Sequence, residues 1–252
     1  MLRFFVPPEL ICDKETRLPD AEARHLRKVL RIRESEYVEI FDGKGNNWYG
    51  AVEFRRGDVF VCGLTPIHSL QQPASARLTL AAALIKPARF EWLLEKASEL
   101  GVDEIIPLHT ARSEIRISVE KISGRLARWD RITKEASKQC RRLDVPYLRP
   151  PMEFHDFLSR EEYAIQNIIL FHEKSNRLWL PERTDPLGAA VICIGPEGGW
   201  TDDEVESAEK SGCGVFGLCP RILRAETAAI AALSIFQHYR RPGNAGGSPA
   251  SS

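Results

Sequence analysis

The period of apolar residues changes along the chain. Up to Leu64 they come in short alternating runs, and from Leu78 they come as unbroken runs separated by amphipathic stretches. Alternation is the mark of half-buried strands. Arg3–Val6, Tyr37–Phe41, Asn47–Phe54 and Asp58–Leu64 read this way, with Asp42-Gly43-Lys44-Gly45 as a turn. One helix interrupts them, with Asp20 as its cap and an end near Leu30. This pattern predicts a small β-barrel carrying one helix.

The later stretch alternates strands with helices. Leu78–Ile85, Val102–Leu108, Ile168–Phe171, Val191–Gly195 and Val215–Leu218 have the length and apolar character of buried strands. Ala88–Leu100 is a helix with Phe90, Leu93, Leu94, Ala97 and Leu100 on one face, stopped by Gly101. Leu126–Cys140, Thr201–Ser211 and Ala225–Tyr239 are further helices, and Thr201 with Glu204 has capping-box spacing. Such alternation predicts a mainly parallel α/β sheet. The polar segment Thr65–Arg77 holds two prolines and marks a boundary near Gln72. The expected organisation is a first domain over 1–72, a second over 73–240, and a disordered tail over 241–252.

A chain of 252 residues buries enough surface to fold without disulfide or metal staples. Charged residues make up 28% and hydrophobic ones 43%, which is ordinary globular usage. No apolar run is long enough to span a membrane, and the N-terminus does not read as a signal peptide. Lys and Arg total 35, as do Asp and Glu, so net charge points to no partner; only local patches could. The cysteines form no CxxC pair and read as scattered thiols of a reducing compartment. The histidines form no HExxH, and no metal site is expected.

Four segments carry candidate chemistry. In Ile194–Trp200, IGPEGGW, a strand runs into a Gly-rich loop and a capped helix. That is where α/β sheets bind ligands, although a bare Gly-Gly is also an ordinary tight turn. It is neither GxGxxG nor a P-loop. In Leu218–Ala229, LCPRILRAETAA, a second strand-loop-helix junction offers Arg221, Arg224 and Glu226. Ala136–Pro146 brings Gln139 and Arg142 to a helix end, amid Arg128, Arg131, Lys134, Lys138 and Arg141, either a solvated face or a phosphate-contacting one. Cys140 has no base in its neighbourhood and reads as inert. In Arg24–Arg33, RHLRKVLRIR, the cations Arg24, Arg27, Lys28, Arg31 and Arg33 surround apolar positions that would dock a helix. Their density suggests nucleic acid.

Taken together, these pieces resemble the RsmE-type 16S ribosomal RNA uridine-N3 methyltransferases of the SPOUT superfamily. The matching segments are RFFV, HLRKVLRIR, FDG, FEWLLEKASELGVDEIIPL, QCRR with VP, IGPEGGW, and LCPRILRAETA, in family order along nearly the whole chain. The resemblance implies a PUA-like barrel followed by an α/β domain with a deep trefoil knot. It implies a homodimer, S-adenosylmethionine as methyl donor, 16S rRNA of the small ribosomal subunit as substrate, a cytoplasmic setting and no membrane. Cofactor contacts would come from Phe171, His172 and Glu173, then from Ile194, Gly195, Pro196, Glu197, Gly198 and Gly199. Leu218, Cys219, Arg221, Ile222 and Leu223 would add a third loop, with Thr227 and Ala228 on the last helix. Two positions depart from the family: Cys219 stands where Gly is usual, and Arg141 where a small residue is common.

Uridine N3 carries a proton and attacks poorly until it leaves, so a base or an anion-stabilising cation is needed. Arg142 or Arg224 would stabilise the developing anion, and Glu226 is a candidate base. N3 lies on the Watson–Crick edge, so the base must be unpaired or flipped. Phosphate grip would fall to the Arg24–Arg33 cations with Gln139 and Arg141. Two other readings remain at this point: a ribose 2′-O-methyltransferase of the same superfamily, disfavoured by R-A-E-T-A at the last junction, and a non-catalytic RNA-binding or assembly factor.

Overall fold

In β4 (Asn47–Arg55) and β5 (Asp58–Pro66) the apolar side chains alternate inward, leaving Val52, Val59 and Val61 fully buried. This is seen in a computed structural model that describes residues 1–67, 77–164, 167–179 and 188–240. The expected boundary at Gln72 and the expected tail lie outside the described residues. The chain divides into two compact units, Met1–Gln72 with Arg131–Val145, and Pro73–Asp130 with Pro146–Ser252.

The first unit holds a five-stranded sheet. Besides β4 and β5 it contains β1 (Arg3–Phe5), β2 (Glu15–Arg17) and β3 (Tyr37–Phe41), in the order β1-β3-β4-β5-β2. β1 runs parallel to β3, and the remaining pairs are antiparallel. Phe4, Val6, Leu18, Leu26, Val38 and Ile40 join the β4–β5 valines in its core. The Asp42 turn is held by its own side chain, whose Oδ1 accepts from Lys44 N at 2.7 Å and Asn46 N at 3.0 Å. Arg131–Val145 joins this unit through backbone bonds from Gly45 N to Leu143 O (3.1 Å) and from Val145 N to Gly43 O (3.1 Å).

The helix here differs from expectation in two respects. α1 spans Asp20–His25, and Pro19 rather than Asp20 is its N-cap, without a side-chain bond. The Asp20 carboxylate instead accepts from Arg17 at 2.9 Å. After His25 the backbone widens into a π-turn over Leu26–Leu30, closed by Arg31 at φ 53°. Leu26 and Ile32 are both buried. On a straight α-helix, residues six apart would point about 120° away from one another. The widened turn and left-handed Arg31 let both enter the same core.

The second unit is a parallel sheet flanked by helices. Its strands are β6 (Leu78–Ala83), β7 (Glu104–His109), β8 (Tyr147–Leu148), β9 (Met152–Glu153), β10 (Asn167–Phe171), β11 (Ala190–Ile194) and β12 (Gly214–Phe216). The order is β12-β10-β11-β6-β7-β8, with β9 also on β7 and every pair parallel. β6, β7 and β11 are buried along their whole length, as unbroken apolar runs require. The helices are α2 (Pro87–Glu99), α3 (Val119–Gln139, which passes into the first unit from Arg131 on), α4 (Phe154–Leu158), α5 (Glu161–Ala164), α6 (Asp202–Lys210) and α7 (Ala225–Arg240). α2 starts with Pro at its first turn and buries Phe90, Leu93, Leu94 and Ala97. The chain then turns at Gly101, φ 77°. α6 forms the expected capping box between Thr201 and Glu204. Because β10, β11 and β12 are parallel neighbours, their C-terminal ends open on one edge, and three loops meet there.

Candidate functional site

Those loops surround a pocket that is open to solvent on one side. Phe171, His172 and Glu173 follow β10, while Ile194, Gly195, Pro196, Gly199 and Trp200 follow β11. Leu218, Cys219, Arg221 and Leu223 follow β12, and Ala225 and Ala228 come from the start of α7. Apolar residues are in the majority among the lining, but His172, Glu173, Arg221 and backbone give its exposed surface a polar character, so apolar cover and polar groups meet in one small-molecule site.

Trp200 fixes the relation between two of the loops. It is fully buried, and its Nε1–H donates to Phe171 O at 3.0 Å. Its ring leaves no room beside Gly195: a Cβ there would lie 2.9 Å from Trp200 Nε1. Gly199 adopts φ 69°, and a Cβ on it would meet Glu173 Oε1 at 2.6 Å. Gly195 is thus required by close approach and Gly199 by its left-handed backbone. His172 Nδ1 stands 3.4 Å from Glu173 Oε2 without hydrogen-bond geometry, and His172 N donates to Phe216 O at 2.8 Å. Cys219 Sγ donates to Arg221 O at 3.1 Å, so this side chain is turned onto its own loop.

Two arginines unremarked in the sequence brace the Gly-rich loop. Arg112 donates to Gly198 O at 3.0 Å and Trp200 O at 3.2 Å. Arg89 binds Glu197 in a very short ion pair and lies 3.7 Å from Glu226 Oε1. A sequence signal for Arg89 did exist. It is a cation in the first turn of α2, where the helix dipole disfavours positive charge, so a specific acidic partner was to be expected. Nothing local marks Arg112.

The expected site residues divide into groups. Phe171, His172, Glu173, Ile194, Gly195, Pro196, Gly199, Leu218, Cys219, Arg221, Leu223 and Ala228 line the pocket together. Glu197 and Gly198 are exposed and not part of the lining, and are held by the two arginines. Ile222 is 85% exposed, and Thr227 is also exposed. Glu226 is buried, and its Oε2 has no hydrogen-bond partner. Arg224 is exposed. Arg142 belongs to the first unit and forms a forked pair with Asp144 at 2.6 and 3.3 Å. Gln139 and Arg141 are exposed, with Arg141 at φ 63°.

Several cations beside Arg142 serve the fold. Arg128 clasps Glu91 at 2.5 and 2.6 Å. Lys138 binds Glu22 at 3.0 Å and Glu135 at 2.9 Å. Arg24, Arg27, Lys28, Arg31 and Arg33 are all exposed. Arg24 donates to Asp20 O at 3.2 Å, and Arg27 donates to Asp58 O at 2.9 Å. Among the described residues no cluster of three or more His, Cys, Asp or Glu could hold a metal ion, and no helix is long and apolar enough to cross a membrane.

A parallel sheet with a loop-built pocket at its strand ends, in a chain that also carries a small mixed sheet, defines a two-part α/β protein with a ligand site. Residues 72–237 match the RNA methyltransferase domain, and residues 18–55 match the RNA methyltransferase PUA domain. The chain belongs to the RNA methyltransferase family. It is 32% identical over 237 residues to the ribosomal RNA small subunit methyltransferase E of Synechocystis, covering 92% of this chain and 76% of that protein. Two solved structures each cover 94% of this chain and 97% of their own. One is a Legionella pneumophila methyltransferase with bound cofactor SAM, 31% identical with a TM-score of 0.83. The other is a ribosomal RNA small subunit methyltransferase E from Neisseria gonorrhoeae bound to S-adenosylmethionine, 30% identical with a TM-score of 0.82.

Proposed function

We propose that this chain is an S-adenosylmethionine-dependent methyltransferase of 16S ribosomal RNA that acts on N3 of a uridine in the small subunit. The observation that carries the reading is the pocket at the ends of β10, β11 and β12, in a chain about 30% identical to relatives solved with that cofactor. The residues fit the group. Phe171, Ile194, Leu218 and Leu223 offer apolar cover for adenine. Glu173 is an acceptor for ribose hydroxyls, and the Gly195–Gly199 loop brings backbone close. Cys219 lines the pocket with its thiol turned onto Arg221 O.

When bound, the sulfonium supplies an electrophilic methyl group. The chain's own residues must then hold the uridine edge toward it and manage the N3 proton. Of the two candidate cations, Arg224 is the freer for a developing uridine anion, since Arg142 is engaged by Asp144. The exposed cations of Arg24–Arg33, with Gln139 and Arg141, supply phosphate contacts. Insertion of β11 between β6 and β10 supports a knotted topology, as does the bridge from Leu178 to Gly217. The five-stranded sheet of the first unit supports a PUA-like barrel. The reading includes a homodimer acting in the cytoplasm.

The test uses small ribosomal subunits from a strain lacking uridine-N3 methylation, incubated with this protein and isotope-labelled S-adenosylmethionine. Labelled 3-methyluridine is expected by mass spectrometry. Label on a ribose would replace the N3 assignment, and absence of both label and cofactor binding would leave an RNA-binding factor.

A further inference from the structure

Glu226 has an unusual setting for a carboxylate. It lies in the first turn of α7 and is only 7% exposed, and Oε2 is buried without a hydrogen-bond partner among the described residues. An acceptor in that state costs stability, so its retention calls for a donor that the folded chain does not supply. Its neighbours Ala225 and Ala228 line the pocket. The other oxygen, Oε1, faces Arg89 Nε at 3.7 Å. Arg89 in turn holds Glu197 of the Gly-rich loop. One guanidinium therefore links the first turn of α2, the loop after β11 and the start of α7. It supplies the counter-charge that a buried carboxylate needs and occupies only one of the two oxygens.

We propose that Glu226 Oε2 accepts the N3 proton of the target uridine and that Arg89 is the residue that positions it, an inference resting on the methyltransferase reading above. The chemistry matches: N3–H is a donor, and Oε2 is a buried, unpartnered acceptor on a residue whose helix neighbours Ala225 and Ala228 line the cofactor pocket. The N3 electron pair forms the new N–C bond to the methyl group as the C–S bond breaks and its electrons stay on sulfur. The N3 proton passes to Glu226 and leaves to water after release. Glu197 is paired with Arg89, and Glu173 is partly exposed and assigned above to the cofactor's ribose, whereas Glu226 combines burial with an unpartnered oxygen. His172, with a free Nδ1, is the competitor.

The experiment measures single-turnover 3-methyluridine formation on unmethylated small subunits, beside calorimetric S-adenosylmethionine binding, for the full chain and its Glu226→Gln, Arg89→Lys, Arg89→Ala and His172→Gln variants. Glu226→Gln is expected to lower the rate about 100-fold or more while cofactor affinity stays within about threefold. Its remaining rate should rise steadily with pH, since N3 must then ionise unaided. Subunits reconstituted with 5-fluorouridine-containing RNA, whose N3–H is more acidic, should restore much of the Glu226→Gln rate and little of the wild-type rate. This ratio is taken within one variant and does not depend on how much of it folds. Arg89→Lys should recover part of what Arg89→Ala loses in kcat, at similar KM. Full activity of Glu226→Gln would overturn the proposal, as would a loss indifferent to 5-fluorouridine or a 5-fluorouridine rescue confined to His172→Gln. A wild-type protein that makes no 3-methyluridine would overturn the function reading itself, and this proposal with it.

Discussion

The cysteines show how burial alone sets reactivity. Burial pushes the Cys193 thiol well above its usual range and the Cys213 thiol up to about 11, while Cys12 is exposed. The thiolate is the nucleophile, and a raised pKa removes it tenfold per unit at a fixed pH below that value. Iodoacetamide at pH 8 should therefore label Cys12 and spare Cys193 and Cys213 in the native protein; peptide mass mapping reads this directly. Gly199 is the opposite case, where absence of a side chain is the requirement. Gly199→Ala would place a Cβ at φ 69° and 2.6 Å from Glu173 Oε1. The left-handed backbone alone costs about 1–2 kcal/mol, and Glu173 must also move. Thermal unfolding should shift down by a few degrees, and cofactor affinity should fall by more than that cost implies, because Glu173 forms a wall of the pocket. The Gly-rich loop was legible from residue types. Arg112 was not, because its bonds to Gly198 O and Trp200 O join residues far apart in the chain.

At the scale of elements, legibility followed length and period. β6, β7, β10 and β11 are apolar runs, and α2 has a clean apolar face, so each was visible before any packing. β2, β8, β9 and α4 are too short to show a period, and they exist because neighbouring strands and the core hold them; Phe157 of α4, for example, is fully buried. The turn from α1 into the π-segment was invisible for the same reason: local sequence favours a continuous helix, and the joint burial of Leu26 and Ile32 overrides it. α6 is the element whose start was best specified. Thr201 Oγ1 accepts from Glu204 N at 3.2 Å, and Glu204 Oε2 accepts from Thr201 N at 2.8 Å. Glu204 Oε1 also accepts from Ala111 N at 2.8 Å. Thr201→Ala should cost about 1 kcal/mol. Glu204→Ala should cost more, since it releases two backbone donors. Urea midpoints at unchanged slope would check both, and equal losses would mean that the Ala111 bond adds nothing.

For the molecule as a whole, balanced charge leaves RNA affinity to local patches. Lys28, Arg31 and Arg33 are exposed and have no ion-pair partner among the described residues, whereas Arg55 is spent on Glu53 and Glu15 at 2.6 and 2.9 Å. A cation already paired gains little by meeting a phosphate, while a free one releases a counterion. Each phosphate contact on single-stranded RNA contributes about 0.7 to the slope of log K against log salt. The combined Lys28→Gln, Arg31→Asn, Arg33→Gln variant should therefore flatten that slope by about 2. Asn is chosen at Arg31 because it tolerates the left-handed backbone there. Arg55→Gln, although it removes one charge from the same unit, should leave the slope nearly unchanged. Fluorescence titration of a 16S fragment across a salt series separates the two. Equal slopes for the triple variant and the parent would remove this face from the RNA-binding surface, and equal effects of the triple variant and Arg55→Gln would mean that total charge rather than the patch governs affinity.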